Sequence, residues 1–210
     1  MIQTFSDKNF KRICKQLAKK DKHLAAVLNA YGPPPMWTRP NSFESLVHII
    51  LEQQVSLASA LAALKKLQEF TGGITPGKIL RMDDQALRAC YVSRQKMIYI
   101  RGLAKAIADK ELDLDAMLLL TDNAVRAKLT TFKGIGNWTV DVYLMFVLQR
   151  TDIFPSGDLA AVNALKQLKT LAAATPREAL IAIAEEWMPY RTIATMILWH
   201  HYLSERRKSQ

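Results

Sequence analysis

The sequence predicts an all-α protein, and three observations carry that prediction. Apolar residues recur at helical spacing along most of the chain. Short polar caps precede nearly every such run, and no stretch alternates apolar and polar residues as a half-buried strand would.

The first run sets the pattern. Phe10, Ile13, Leu17, Leu24, Val27 and Leu28 share one face between Ser6, a cap, and Gly32, a stop, so one helix is expected from Ser6 to about Tyr31. Its other face carries Lys8, Lys11, Lys15, Lys19 and Lys22, and Gly32-Pro33-Pro34-Pro35 then makes a stiff extended connector. Helices follow from Ser42 to Leu51 and from Ser56 to about Phe70, the second ended by Gly72-Gly73. Thr75, Asp83, Ser93 and Thr121 cap further helices over Pro76–Met82, Asp84–Cys90, Arg94–Asp109 and Asp122–Leu129. After the turn Lys133-Gly134-Ile135-Gly136 comes an apolar helix from Asn137 to about Gln149, then a proline-containing loop and Asp158 at the start of another helix. Thr175-Pro176 opens a helix to about Met188, and Pro189 starts a last one to about Arg206.

A formal charge of +10 suits a polyanionic partner, nucleic acid or anionic membrane. Cys14 and Cys90 are the only cysteines, so the chain can build neither a disulfide framework nor a four-cysteine metal or iron–sulfur site, and both read as buried thiols. Met1 to Asp7 lacks the pattern of a secretory leader and no stretch is apolar enough to span a bilayer, so a soluble, intracellular protein is expected.

Four motifs carry candidate chemistry. Glu52-Gln53-Gln54-Val55-Ser56, at a tight junction between two helices, offers amides that can read base edges or simply cap helix ends. Ser93-Arg94-Gln95-Lys96 opens a helix with basic residues where acidic ones are preferred, which suits a phosphate. In Lys133-Gly134-Ile135-Gly136 the glycines allow positive φ and close approach, and the following helix start presents N–H groups, although glycine turns also end helices of every kind. Asp158 reads as a helix N-cap, and the same position suits a functional anion, because the positive end of a helix favours negative charge. Trp187, Tyr190 and Trp199 read first as core.

Taken together and in this order, Phe43-Glu44-Ser45-Leu46, Ile50 through Ser56, Ser93 through Lys96, Phe132 through Thr139, Asp158 and Trp187 through Arg191 resemble the helix-hairpin-helix DNA glycosylases with a Gly/Pro-rich loop and a following Asp, in the alkylation-repair branch typified by 3-methyladenine DNA glycosylase II. The resemblance covers about Asn41 to Trp199. It implies two helical lobes with a cleft, residues 42–155 forming a central lobe with the hairpin and residues 1–41 joining 156–210 in a second. Ser6–Tyr31 would complete the second lobe in place of the extra N-terminal domain of the best-known bacterial members.

By the same resemblance Asp158 is the catalytic carboxylate, and Trp138 stands where glycosylase/lyases carry a Schiff-base lysine, which implies hydrolysis without strand cleavage. Trp138, Trp199, Tyr143 and Glu52 are the expected base pocket, with Val142 and Leu159 where relatives can have Tyr. Gln53, Gln54, Ser56, Arg94, Lys133, Gly134, Ile135 and Gly136 are the expected DNA contacts, Gln54 taking the place of an apolar wedge. No cofactor is expected beyond a sodium or potassium ion on the backbone carbonyls of Thr130, Phe132 and Gly134. The implied partner is double-stranded DNA containing alkylated bases, met by a monomer without a membrane, in a bacterial cytoplasm or a eukaryotic nucleus. The alternatives are a non-catalytic helix-hairpin-helix DNA-binding protein and a glycosylase for a different damaged base.

Overall fold

A computed structural model describes residues 2–208, with the side chains of Arg207 and Lys208 outside the description, as are Met1, Ser209 and Gln210 at the ends of the expected second lobe. Among the described residues the regular structure is helical, apart from an isolated antiparallel bridge between Thr4 and Arg150. No described helix is long and apolar enough to cross a membrane. The chain divides into two compact units, one of Met1–Thr38 with Leu144–Gln210 and one of Arg39–Tyr143.

The expected first helix is two: α1 (Asp7–Lys20) and α2 (Lys22–Tyr31). Apolar periodicity runs through the break at Asp21, whose carboxylate does better outside a helix. Its Oδ1 accepts from the backbone N–H of His23 at 2.8 Å and caps α2, while Oδ2 accepts from Trp187 Nε1 at 2.8 Å and lies 2.7 Å from Lys169 Nζ. Burial works to raise the pKa of Asp21, but hydrogen bonds from Lys169, Trp187 and His23 and the Lys169 charge outweigh it, holding the group below its ordinary 3.8. With the folded pKa depressed, the stabilisation is complete above the unfolded value and is lost as pH falls through the folded one. Asp21→Asn should therefore flatten the fall in melting temperature below about pH 4. An acid limb identical to wild type would refute that.

In the second unit come α3 (Phe43–Glu52), α4 (Leu57–Thr71), α5 (Pro76–Arg81), α6 (Asp84–Ala89) and α7 (Arg94–Ala108). Ser42, Ser56, Thr75, Asp83 and Ser93 cap them through side-chain oxygens, as their sequence positions suggest. The short α8 (Leu114–Met117), capped by Asp113, lacks the length to show a period in sequence. Then come α9 (Asp122–Leu129) and α10 (Asn137–Val142). α3 is apolar almost all round, with Leu46, Val47, Ile49, Ile50 and Leu51 buried, and packs against α4, α7 and α10.

The helix expected to run to Gln149 changes character. After α10 the backbone continues as a π-helical turn, Tyr143–Val147, and the unit boundary falls inside it rather than near Pro155. Residues 144–155 belong with the N-terminal segment because their backbone is bonded there: Phe5 N–H donates to Gln149 O at 2.9 Å and Thr151 N–H to Gln3 O at 3.1 Å. The rest of that unit is α11 (Leu159–Leu168), α12 (Arg177–Glu185) and α13 (Arg191–Lys208). Its core joins Phe10, Ile13 and Leu17 of α1 to Leu165, Leu180, Trp187 and Ile197. Thr175 does not cap α12; Pro176 occupies that place and Thr175 Oγ1 donates to Ala172 O at 2.7 Å. α13 starts at Arg191 rather than Pro189, where the guanidinium clasps Asp152 at 2.7 and 3.0 Å.

Candidate active site and nucleic-acid interface

In the Arg39–Tyr143 unit, α9 and α10 flank the glycine turn. Gly134 has φ +87, and a Cβ on it would fall 2.2 Å from the Tyr99 ring, so both its dihedral and its contact require glycine. Gly136 differs from expectation: its φ is −100, open to any residue, and a Cβ there would meet open space. It is the N-cap of α10 and supplies no capping side chain. Among the described hydrogen bonds, none uses the backbone N–H of Lys133, Gly134 or Gly136. These donors, with the exposed Lys133 ammonium beside them, suit a phosphodiester. Ile135 is buried and its backbone N–H donates to Phe132 O at 3.1 Å, so its side chain serves the core and its N–H closes the turn rather than facing DNA.

The junction of α3 and α4 sorts the remaining candidates. The donors of the Gln53 amide are engaged within the protein: its Nε2 donates to Gly134 O and to Thr139 Oγ1, each at 2.9 Å. Gln54 is exposed with φ +56, at the tip of the turn beside exposed Val55 and Leu57. Ser56 is exposed and its oxygen caps α4. Arg94 is exposed in the first turn of α7, while Lys96 turns inward and donates from Nζ to Leu51 O at 2.8 Å, its pKa pushed down by burial.

Two expected pocket residues are engaged elsewhere. Glu52 forms a two-pronged pair with Arg39, at 2.9 and 2.6 Å, and its Oε1 lies 3.4 Å from His48 Nε2. Burial, and next the Arg39 charge, push the His48 pKa down. Tyr143 is fully buried, with its hydroxyl donating to Asn41 Oδ1 at 2.7 Å, so its ring has no open face. Trp138 is half-buried in the first turn of α10, and Val142 is buried.

In the other unit Asp158 is half-buried at the N-cap of α11. Its Oδ1 accepts from the backbone N–H of Ala161 at 2.8 Å and from Trp199 Nε1 at 2.9 Å. Trp199 is itself framed by Phe146, ring centroids 5.3 Å apart, and by Trp37, edge-on at 6.5 Å. Leu159, the next residue after Asp158, is exposed. Sequence reasoning missed Trp37 and Phe146, because neither lies in a motif and only the fold brings them to Trp199. Among the described residues no group of three or more His, Cys, Asp or Glu side chains could hold a metal ion. Both cysteines are buried, and burial raises the Cys14 thiol to about 11, so it is held as an unreactive thiol.

In this all-α chain a helix-hairpin-helix turn with unspent N–H groups lies in one unit, and a helix-capping aspartate bonded to a tryptophan lies in the other. The chain belongs to the HhH-GPD superfamily of base excision DNA repair proteins, whose family model matches residues 47–189. The solved Schizosaccharomyces pombe 3-methyladenine DNA glycosylase Mag1, in complex with abasic DNA, is 27% identical, with a TM-score of 0.83 over 90% of this chain and 95% of that one. A Bacillus halodurans DNA-3-methyladenine glycosidase is 30% identical, with a TM-score of 0.75 over 99% and 95%. YfjP of Bacillus subtilis is 28% identical over 84% of this chain, which spans 64% of YfjP's length.

Proposed function

We propose that the chain is a monofunctional DNA glycosylase that flips an alkylated purine from duplex DNA and hydrolyses its N-glycosidic bond, leaving an abasic site. The observation that carries this reading is the carboxylate of Asp158, held at Oδ1 by the Ala161 N–H and the Trp199 indole N–H. The names of Mag1 and the Bacillus halodurans enzyme support 3-methyladenine-type lesions, and the Mag1 complex supports DNA as the partner.

Alkylation at a ring nitrogen makes the base cationic, so it departs with the electron pair of the C1′–N bond and needs little protonation. The barrier is the positive charge that develops on the sugar, which a fixed carboxylate stabilises. Water then adds to C1′, and its proton passes to Asp158 and on to solvent. The aromatic faces of Trp199, Phe146 and Trp37 offer a cationic base an attraction of about 0.5–2 kcal/mol. Extrusion costs a few kcal/mol, less for damaged, weakly paired bases.

Asn137 is followed by Trp138, an indole that cannot form a Schiff base where a lysine would. Borohydride added during turnover should therefore trap no covalent protein–DNA adduct; a trapped adduct would overturn the monofunctional assignment. A monovalent cation at the hairpin would sit on the carbonyls of Thr130, Phe132 and Gly134. Phe132 O already accepts from Ile135 N–H and Gly134 O from Gln53, leaving each a second lone pair, and neutral oxygen donors fit sodium or potassium. Lys133→Glu should weaken duplex binding and flatten the log–log salt dependence by about one unit. An unchanged slope would argue against the hairpin as the backbone contact.

A further inference from the structure

We propose that Gln53 is a positioning residue that locks the phosphate-binding hairpin to the turn carrying Gln54, so that grip on the DNA backbone and approach to the base pair move as one piece. The proposal rests on the glycosylase reading.

Gly134 O can only accept, so the Gln53 side chain must present its NH2 group there, and the second N–H goes to Thr139 Oγ1. Both hydrogens are spent inside the protein. The amide therefore serves as a strut between the last residue position of the α3 turn and the hairpin, with one acceptor in the glycine turn and the other in the first turn of α10. The neighbouring residue in the chain is Gln54, exposed at φ +56.

The same corner is braced from α7. Lys96 Nζ holds Leu51 O at the end of α3, at 2.8 Å, and the Tyr99 ring lies where a Cβ on Gly134 would be, its hydroxyl bonded to the Gln95 amide. Gly134 is thus gripped on its carbonyl by Gln53 and on its Cα by Tyr99. Gln53 is the only one of these braces that joins the hairpin directly to the residue before the exposed tip. Without it the hairpin still meets phosphate, but the tip loses its register against the bound backbone, and the loss falls on base extrusion.

The test uses the full chain with Gln53→Ala and Gln53→Glu, and with Thr139→Val as a milder variant that removes one acceptor and keeps the shape. Readouts are affinity for undamaged duplex, single-turnover release of methylated purine, and fluorescence of 2-aminopurine placed beside the lesion, which reports unstacking. The expected result is duplex affinity within about twofold of wild type, base release reduced about tenfold or more, and a smaller fluorescence rise. Gln53→Glu should be at least as impaired as Gln53→Ala, because a carboxylate oxygen would face the Gly134 carbonyl. Thr139→Val should shift release in the same direction by a smaller factor.

Unchanged release and fluorescence in Gln53→Ala and Gln53→Glu would overturn the proposal. So would a loss of duplex affinity and melting temperature in step with the loss of release, which is what a purely structural role produces. If the wild-type chain releases no base, the glycosylase reading fails; the fluorescence comparison between wild type and Gln53→Ala still decides the positioning role.

Discussion

Replacing Asp158 with Asn is expected to lower the rate of base release by about three orders of magnitude while leaving affinity for abasic-site duplex within about twofold. The substitution keeps the shape of the side chain. An Asn amide can turn its oxygen toward the Ala161 N–H and the Trp199 indole N–H, at the 2.8 and 2.9 Å positions Oδ1 holds, so the cap on α11 and the placement of Trp199 survive. The negative charge does not survive, and in the proposed mechanism it is the charge that stabilises the cation developing on the sugar. On the proposed reading, binding draws on N–H groups and cations of the other unit, which the change does not touch. Comparable single-turnover rates for wild type and Asp158→Asn would remove Asp158 from the chemistry and leave it a helix cap.

The second large effect is expected at Gly134. Alanine there must hold φ near +87, a conformation that costs an L-residue about 1–3 kcal/mol. It must also place a Cβ 2.2 Å from the Tyr99 ring carbons. The half-buried ring and the hairpin press on each other, and a shift of the hairpin draws Gly134 O away from Gln53. Gly134→Ala should therefore weaken duplex binding at least about tenfold and lower stability by about 2–4 kcal/mol. Gly136→Ala is the matched control. At φ −100 with open space around it, it should cost no more than about 1 kcal/mol, the difference between Gly and Ala at an N-cap. Equal effects at the two glycines would refute this account of the hairpin.

Much of the fold was legible because it is written in local chemistry. Ser42, Ser56, Thr75, Asp83, Ser93, Thr121 and Asp158 each cap the helix their sequence position implies, since a cap needs only an acceptor and the N–H groups two or three residues on. The family, the hairpin and the candidate aspartate were legible for the same reason: each is a short, ordered pattern. What stayed hidden depends on distant partners. The break at Asp21 could not be read because the apolar period continues through it, and the residues that reward the break, Lys169 and Trp187, lie far along the chain. Glu52, inside a motif, and Tyr143, just past the end of one, were expected in the pocket, yet Arg39 and Asn41, outside the motifs, engage them. Gln53 showed the ambiguity most directly, since an amide suited to a base edge is equally suited to a glycine carbonyl, and only the packing of α3 against α10 decides. The aromatic frame of Trp199 by Trp37 and Phe146 likewise spans most of the chain.

The most direct measurement is the product of incubating the chain with a duplex that carries a single N3-methylated adenine, followed by chromatography of the free base and a denaturing gel before and after alkali. Release of free methylated adenine, from a strand that stays intact until alkali cleaves it at the abasic site, is the predicted result. A duplex that retains its methylated base after prolonged incubation with excess protein would contradict the account.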